Sequence, residues 1–173
     1  MSTRLRILGI DPGIQSTGFG IIDVDAGALS YVTSGRIRTT GKDMPPRLRE
    51  IFEGVAGLIA EYQPNELAIE RVFMHRNADS ALKLGHARSA ALCAAMSDEQ
   101  TQPAIHEYAA REIKLAVVGS GAAVKSQVSL MVRSLLSLSG ELQSDAADAL
   151  GVAVCHANAR RARARIRNAG RPA

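Results

Sequence analysis

Four carboxylates, Asp11, Glu70, Asp145 and Asp148, stand where their spacing permits chemistry. Asp11 closes the apolar run Ile7-Leu8-Gly9-Ile10, and Glu70 closes Leu67-Ala68-Ile69. A carboxylate that ends a buried strand emerges at the sheet edge, where open α/β sheets place their sites. Asp145 and Asp148 are three apart at the head of a further apolar stretch, which puts both on one face of a helix. Acids grouped in this way repel each other and resist full ionisation. A hard divalent cation relieves the repulsion, and Mg²⁺ binds through a few carboxylates together with waters and substrate phosphates. The four residues read as a Mg²⁺ site built for phosphate chemistry.

Each acid also has a plainer reading. Asp11 precedes Pro12-Gly13 and suits a turn. Asp145 suits a helix N-cap, with Asp148 at the third helical position near the positive end of the dipole. Glu70 suits a surface acid at a strand end. Taken together, with each acid beside an apolar run, the four favour the shared site.

The elements that would position them follow from periodicity. Leu5 to Asp11 is nearly all apolar, as in a central strand covered on both faces. Gly18 to Val24 and Leu29 to Arg38 read as two more strands, joined by the turn signal Asp25-Ala26-Gly27. Arg47 to Tyr62 carries Leu48, Ile51, Phe52, Val55, Leu58 and Ile59 at helical period, with Pro45-Pro46 before it and Pro64 after. Glu66 to Glu70 is a short strand. Asn77 to Ser97 reads as an alanine-rich helix containing Gly85, and its small surface fits close packing in the core or against a second subunit. Pro103 to Glu107 is a fifth strand, and Ala109 to Val117 a short helix. The loop Gly119–Gly121 precedes an amphipathic helix bearing Val124, Val128, Met131, Val132, Leu135 and Leu138. Asp145 to about Arg165 is the last helix.

The order βββαβαβααα predicts an α/β fold, a five-stranded mixed sheet flanked by helices. The first strand lies centrally, and the fourth runs parallel to it through a right-handed crossover. That topology brings Asp11 and Glu70 to neighbouring carboxyl ends. The last helix then carries Asp145 and Asp148 across the same edge.

Length and composition set the frame. The 173 residues, 46% hydrophobic and 22% charged, suit one globular domain over residues 1–158. The net charge of +4 is uneven: Arg160, Arg161, Arg163, Arg165, Arg167 and Arg171 cluster where there is no acid. The rest carries 15 basic residues against 17 acidic ones, a net of −2. Residues 159–173 are therefore expected to be a disordered basic tail, either inert or in non-specific contact with nucleic acid. Cys93 and Cys155 lack metal-ligand spacing and are expected to be buried free thiols of a cytoplasmic protein. The N-terminal apolar run is too short for a signal peptide or a membrane span.

The motifs in order have a family likeness. Gly9-Ile-Asp11-Pro-Gly13, Thr17-Gly-Phe-Gly20, Ala68-Ile-Glu70-Arg-Val-Phe73, Asn77 to Gly85, Glu107-Tyr-Ala-Ala-Arg111, Lys125-Ser-Gln-Val128 and Asp145-Ala-Ala-Asp148-Ala-Leu150 resemble the RuvC family of Holliday junction resolvases. The resemblance spans roughly residues 5 to 158, and its specificity comes from the series of motifs. It implies a ribonuclease H-like fold, a homodimer, and Mg²⁺-dependent cutting of four-way DNA junctions during recombination and repair. The family's acidic quartet falls on Asp11, Glu70, Asp145 and Asp148. Its strand-separating aromatic falls on Phe73, and its basic residues near the scissile phosphate fall on Lys114 and Lys125. It also suggests cooperation with the RuvA–RuvB branch-migration machinery.

Hydrolysis through two metals supplies an activated water, charge relief and a stabilised leaving oxygen. On this scheme two Mg²⁺ ions bind per subunit, with Mn²⁺ able to substitute. Asp11 bridges the ions and Glu70 serves the leaving-group side. Asp145 and Asp148 serve the attacking water, Asp148 either directly or by way of a bound water. Lys125 reaches the scissile phosphate as a point charge, with Lys114 on the same backbone; the alternative for both is a solvated helix lysine. Phe73 is a base-stacking platform or a core plug. Arg76 and His75 suit backbone contacts, and a metal role for His75 is disfavoured because Mg²⁺ prefers oxygen. Two other functional classes remain open. Asp11-Pro-Gly13 followed by Gly18 and Gly20 also resembles the phosphate loop of actin-like ATPases and sugar kinases, and the chain could be a junction-binding module without catalysis.

Overall fold

The computed structural model describes residues 4–72 and 77–169, with 168 and 169 as backbone only. The described residues form five strands and five helices in the order β1 (Leu5–Asp11), β2 (Ser16–Asp25), β3 (Ala28–Arg38), α1 (Met44–Tyr62), β4 (Glu66–Glu70), α2 (Ala78–Ala95), β5 (Ala104–Tyr108), α3 (Ala110–Val118), α4 (Lys125–Leu135) and α5 (Ser144–Ala169). The sheet order is β3-β2-β1-β4-β5, with β1 in the centre as its apolar run requires. β1 pairs antiparallel with β2 and parallel with β4, and β5 extends the parallel side.

Side-chain alternation sorts the strands between two cores. Leu8 and Ile10 of β1, Ile21 of β2, and Leu67 and Ile69 of β4 face α1 and α2. Ile7, Ile22 and Ala68 face the opposite core, which α3, α4 and α5 cover. Asp11 has the parity of Ile7, and Glu70 that of Ala68. Both acids therefore project on the α5 side at the carboxyl end of the sheet. A period of two, combined with strand pairing, decides which layer the acids meet.

Local chemistry explains the element ends. In the β2–β3 turn, Ala26 and Gly27 have φ of 48° and 88°, and Asp25 pairs with Ala28. Two positive φ values in a two-residue hairpin favour glycine. Helix α1 begins at Met44, three residues before the expected Arg47, and takes both prolines into its first turn. The amides that proline lacks have no partner there in any case. Gln63 ends α1 in the left-handed region, ahead of Pro64. The Asn77 side chain caps α2 by accepting from the amides of Asp79 and Ser80.

Two expectations need correction. Residues 159–169 are the last turns of α5 and not a disordered extension. Ala159, Ala162 and Ala164 among the arginines favour continued helix, and α5 is anchored where Val152 to Ala157 are buried. Cys93 is exposed on α2, while Cys155 is buried in α5; both are free thiols. Burial pushes the Cys155 thiol up to about 12. Among the described residues no helix is long and apolar enough to cross a membrane.

Candidate active site

Helix α5 comes unusually close to the sheet because the residues beneath it are glycines. Gly9 pairs with Gly20 and Asp11 with Gly18, so three glycines make a trough on the α5 side. A methyl on Gly9 would lie 2.8 Å from the Ala153 nitrogen. One on Gly20 would lie 2.6 Å from the Leu150 side chain, and one on Gly18 2.7 Å from the Asp145 carbonyl carbon. The first turn of α5 therefore rests on β2 beside the end of β1. Asp145 and Asp148 are brought to the edge where Asp11 and Glu70 emerge.

The electrostatics register this convergence. Asp11 is pushed up to about 7, first by burial and then by repulsion from Glu70, Asp148 and Asp145, with Lys125 opposing. Glu70 is also raised, by burial first and then by Asp148, against Lys125 and Lys114. Lys125, the first residue of α4, places its Nζ 2.6 Å from Asp148 Oδ2, and this bond raises the ammonium pKa. Asp148 is largely covered, whereas the Lys125 side chain is 76% exposed. Asp145 Oδ2 accepts a hydrogen bond of 2.5 Å from Ser16 Oγ. A cavity of about 230 Å³ opens between Asp11, Glu70, Val72 and Leu84.

The structure thus brings together the four acids and both lysines singled out from the sequence. Phe73, His75 and Arg76 lie outside the described residues. Two contacts escaped sequence reasoning. Ser16 lies 129 positions from the acid it holds, and no local pattern marks it. Arg71, next to Glu70, donates to Glu112 at 2.6 Å, and Glu112 also accepts from the Ala109 amide at 2.6 Å. Together these bonds tie the segment after Glu70 to the start of α3.

A second polar group lies on the same sheet face, toward the other end of β4. Glu66, His106 and His156 have potential ligand atoms within 4.8 Å of one another. Their charges are already matched internally. Arg160 donates to one oxygen of Glu66 and His156 Nε2 to the other. The Tyr108 hydroxyl is hydrogen-bonded to His156 Nδ1 at 2.7 Å, and burial lowers the His156 pKa against the opposing pull of Glu66. This is a satisfied interior network, chemically unlike the four crowded carboxylates.

Comparison with known proteins agrees with the geometry. The family model described as "Crossover junction endodeoxyribonuclease RuvC" matches residues 7–156. The protein of that name from Methylococcus capsulatus is 53% identical over 161 residues, covering 93% of this chain and 95% of the relative. Its Vibrio cholerae counterpart is 56% identical over 152 residues, covering 88% and 86%. Among solved structures, Thermus thermophilus RuvC in complex with Holliday junction substrate superposes with a TM-score of 0.83 at 30% identity, covering 91% of this chain and 96% of that one. The yeast mitochondrial Holliday junction resolvase Ydc2, at 14% identity and a TM-score of 0.70, shares the fold over 95% of this chain and 82% of its own.

Proposed function

The chain belongs to the RuvC family of crossover junction endodeoxyribonucleases, and from that premise we propose that it resolves four-way DNA junctions by paired, symmetric, Mg²⁺-dependent phosphodiester hydrolysis in recombination and repair. The observation that carries this reading is the convergence of four carboxylates with Asp11 held near 7. An all-oxygen donor set in mutual repulsion suits a hard cation. Asp11, Glu70, Asp145 and Asp148 would hold two Mg²⁺ ions per subunit, with Mn²⁺ as a substitute. Bound there, the ions supply an activated water and charge relief on the phosphoryl oxygens.

The other residues have work of their own. The Ser16 hydroxyl holds one oxygen of Asp145 and so orients the other. Lys125 is exposed at the mouth of the site and can exchange Asp148 for a phosphate oxygen. Lys114, close enough to bias Glu70, supports the same DNA strand. Phe73 follows Glu70 by three residues in sequence and would stack on bases opened at the crossover, with Arg76 on the backbone. We read the chain through the last turns of α5 as one nuclease domain, acting in the cytoplasm alongside the RuvA–RuvB branch-migration machinery.

A junction with two-fold symmetry calls for a two-fold dimer. Helix α2 offers a face for it: Leu82 is 64% exposed, and a methyl added at Gly85 would meet nothing within 4 Å. Gly85→Leu should therefore leave the subunit's fold intact and weaken dimerisation at least tenfold by blocking close approach. Light scattering across a dilution series reads this. A variant dimer as tight as the parent places the interface elsewhere.

The function itself is tested on a labelled four-way junction. With Mg²⁺, nicks should appear at symmetric positions on two opposing strands, and chelation should abolish them. Binding without any nick would favour the non-catalytic module. Thermal protection by Mg-ATP would favour the actin-like reading.

A further inference from the structure

The arginine cluster lies far from the acids and is built into a cavity of its own. Arg160, Arg161, Arg163 and Arg167 rim a cleft of about 430 Å³ between the end of α5 and the β2–β3 hairpin. Val24, Leu29, Ala157 and Ala164 supply apolar surface within it. His106 and His156, stacked with ring centroids 4.3 Å apart, also contribute to its lining. No acidic residue lines the cleft among the described residues. The nearby Glu66 has both oxygens occupied by Arg160 and His156.

Spacing gives the cleft a direction. Arg160, Arg163 and Arg167 stand at i, i+3 and i+7 on one helix face, with the small Ala164 between them. They span roughly 10 Å of helix axis at 1.5 Å per residue. One DNA strand presents about three phosphates over that rise. Guanidinium forks match phosphate oxygens, and low-dielectric walls lined by one sign of charge focus the field on an anion. Asp148 and Arg163 are separated by about 22 Å along α5, so the cleft and the acids lie at opposite ends of the helix. Outside the cluster the chain carries a net charge of −2. Attraction for a polyanion must come largely from this end, because the acidic site itself repels phosphate.

We propose that this cleft is a second DNA site, one that grips backbone phosphates of a junction arm away from the cut, without reading sequence. The proposal rests on the endonuclease function above. Phosphate contacts position a protein on DNA, and each one releases condensed counterions. Salt dependence therefore counts them.

The test uses the full chain and the triple variant Arg161→Ala/Arg163→Ala/Arg167→Ala. Arg160 is retained because it holds Glu66. Junction binding is measured in EDTA over a salt series, with melting curves alongside. The slope of log K against log salt should become shallower by about 2–3, and affinity near 0.1 M salt should fall roughly 10–100-fold. Melting should change little, since the three side chains are exposed, although Arg163 gives up a bond to the Tyr108 hydroxyl. The corresponding triple lysine variant should restore most of the slope, because charge is what the contact requires. An alanine variant with the parent's slope overturns the site. So does the parent slope combined with capture of poly-glutamate that the alanine variant loses, which would assign the cleft to an acidic protein. A parent protein that cuts no junction overturns the nuclease reading instead, and that outcome is scored separately from the slope.

Discussion

Asp11→Asn should lower Mg²⁺-dependent junction cleavage by more than about 100-fold and at the same time make the metal-free protein more stable at neutral pH. The first effect follows from ligand loss, since even the outer partners of metal ligands are worth about 10–100-fold. The second follows from the pKa of about 7 that burial and the neighbouring acids impose on Asp11. A carboxyl raised above its unfolded value binds its proton more tightly in the folded state. It costs nothing below about pH 4, where both states are protonated. Stability then falls as pH rises toward 7, and the deficit levels off above that, at of order 4 kcal/mol. Asparagine removes the deficit.

Cation binding requires the ionised form, so Mg²⁺ should raise the melting temperature of the parent more at pH 8 than at pH 6. The asparagine variant should lose most of that increment. Glu70→Gln, Asp145→Asn and Asp148→Asn should also depress cleavage. Junction binding should survive in all four variants, because each removes a charge that repels DNA. Melting curves with and without Mg²⁺ at the two pH values, plus nicking rates, make the measurement. A fully active Asp11→Asn enzyme would take Asp11 out of the metal site.

Gly18→Ala should cost both stability and activity, although it adds one methyl group and removes no titratable or polar side chain. That methyl would lie 2.7 Å from the Asp145 carbonyl carbon and closer still to its oxygen. Either α5 lifts from β2 or β2 bends away. Overpacking of this kind costs about 1–3 kcal/mol, which is several degrees of melting temperature for a chain of this length. The displacement falls on the turn that carries Asp145, and a shift of about 1 Å in catalytic geometry can cost about 100-fold in rate. Gly57→Ala is the control. A methyl there meets nothing within 4 Å, and Gly57 lies inside α1, so stability should hold or rise slightly. A Gly18→Ala protein that melts and cuts like the parent would mean that the trough does not set the position of Asp145.

The two variants separate what is legible in the chain from what is not. The acids at the ends of apolar runs, the i, i+3 pair, the turn at Ala26-Gly27 and the central placement of β1 are all local or periodic patterns. Strand period and the β1–β4 pairing place Asp11 and Glu70 at one sheet edge, and helix period puts Asp145 and Asp148 on one face of α5. Periodicity also explains why the arginines cluster, but not their form. Charge alone suggested disorder from residue 159, whereas the buried stretch of α5 holds the helix through to Ala169.

Other features exist only where distant segments meet. Lys125 reaches Asp148 from a different helix, and Ser16 reaches Asp145 across 129 positions. The trough of Gly9, Gly18 and Gly20 has no signature on any one strand, because its meaning is the distance between two backbones. A sequence records how each segment wants to fold and which face it wants to hide. How closely two segments approach, and therefore how deeply Asp11 is buried and which carboxylates it then feels, is settled by side-chain volume at contacts that form only in the folded protein.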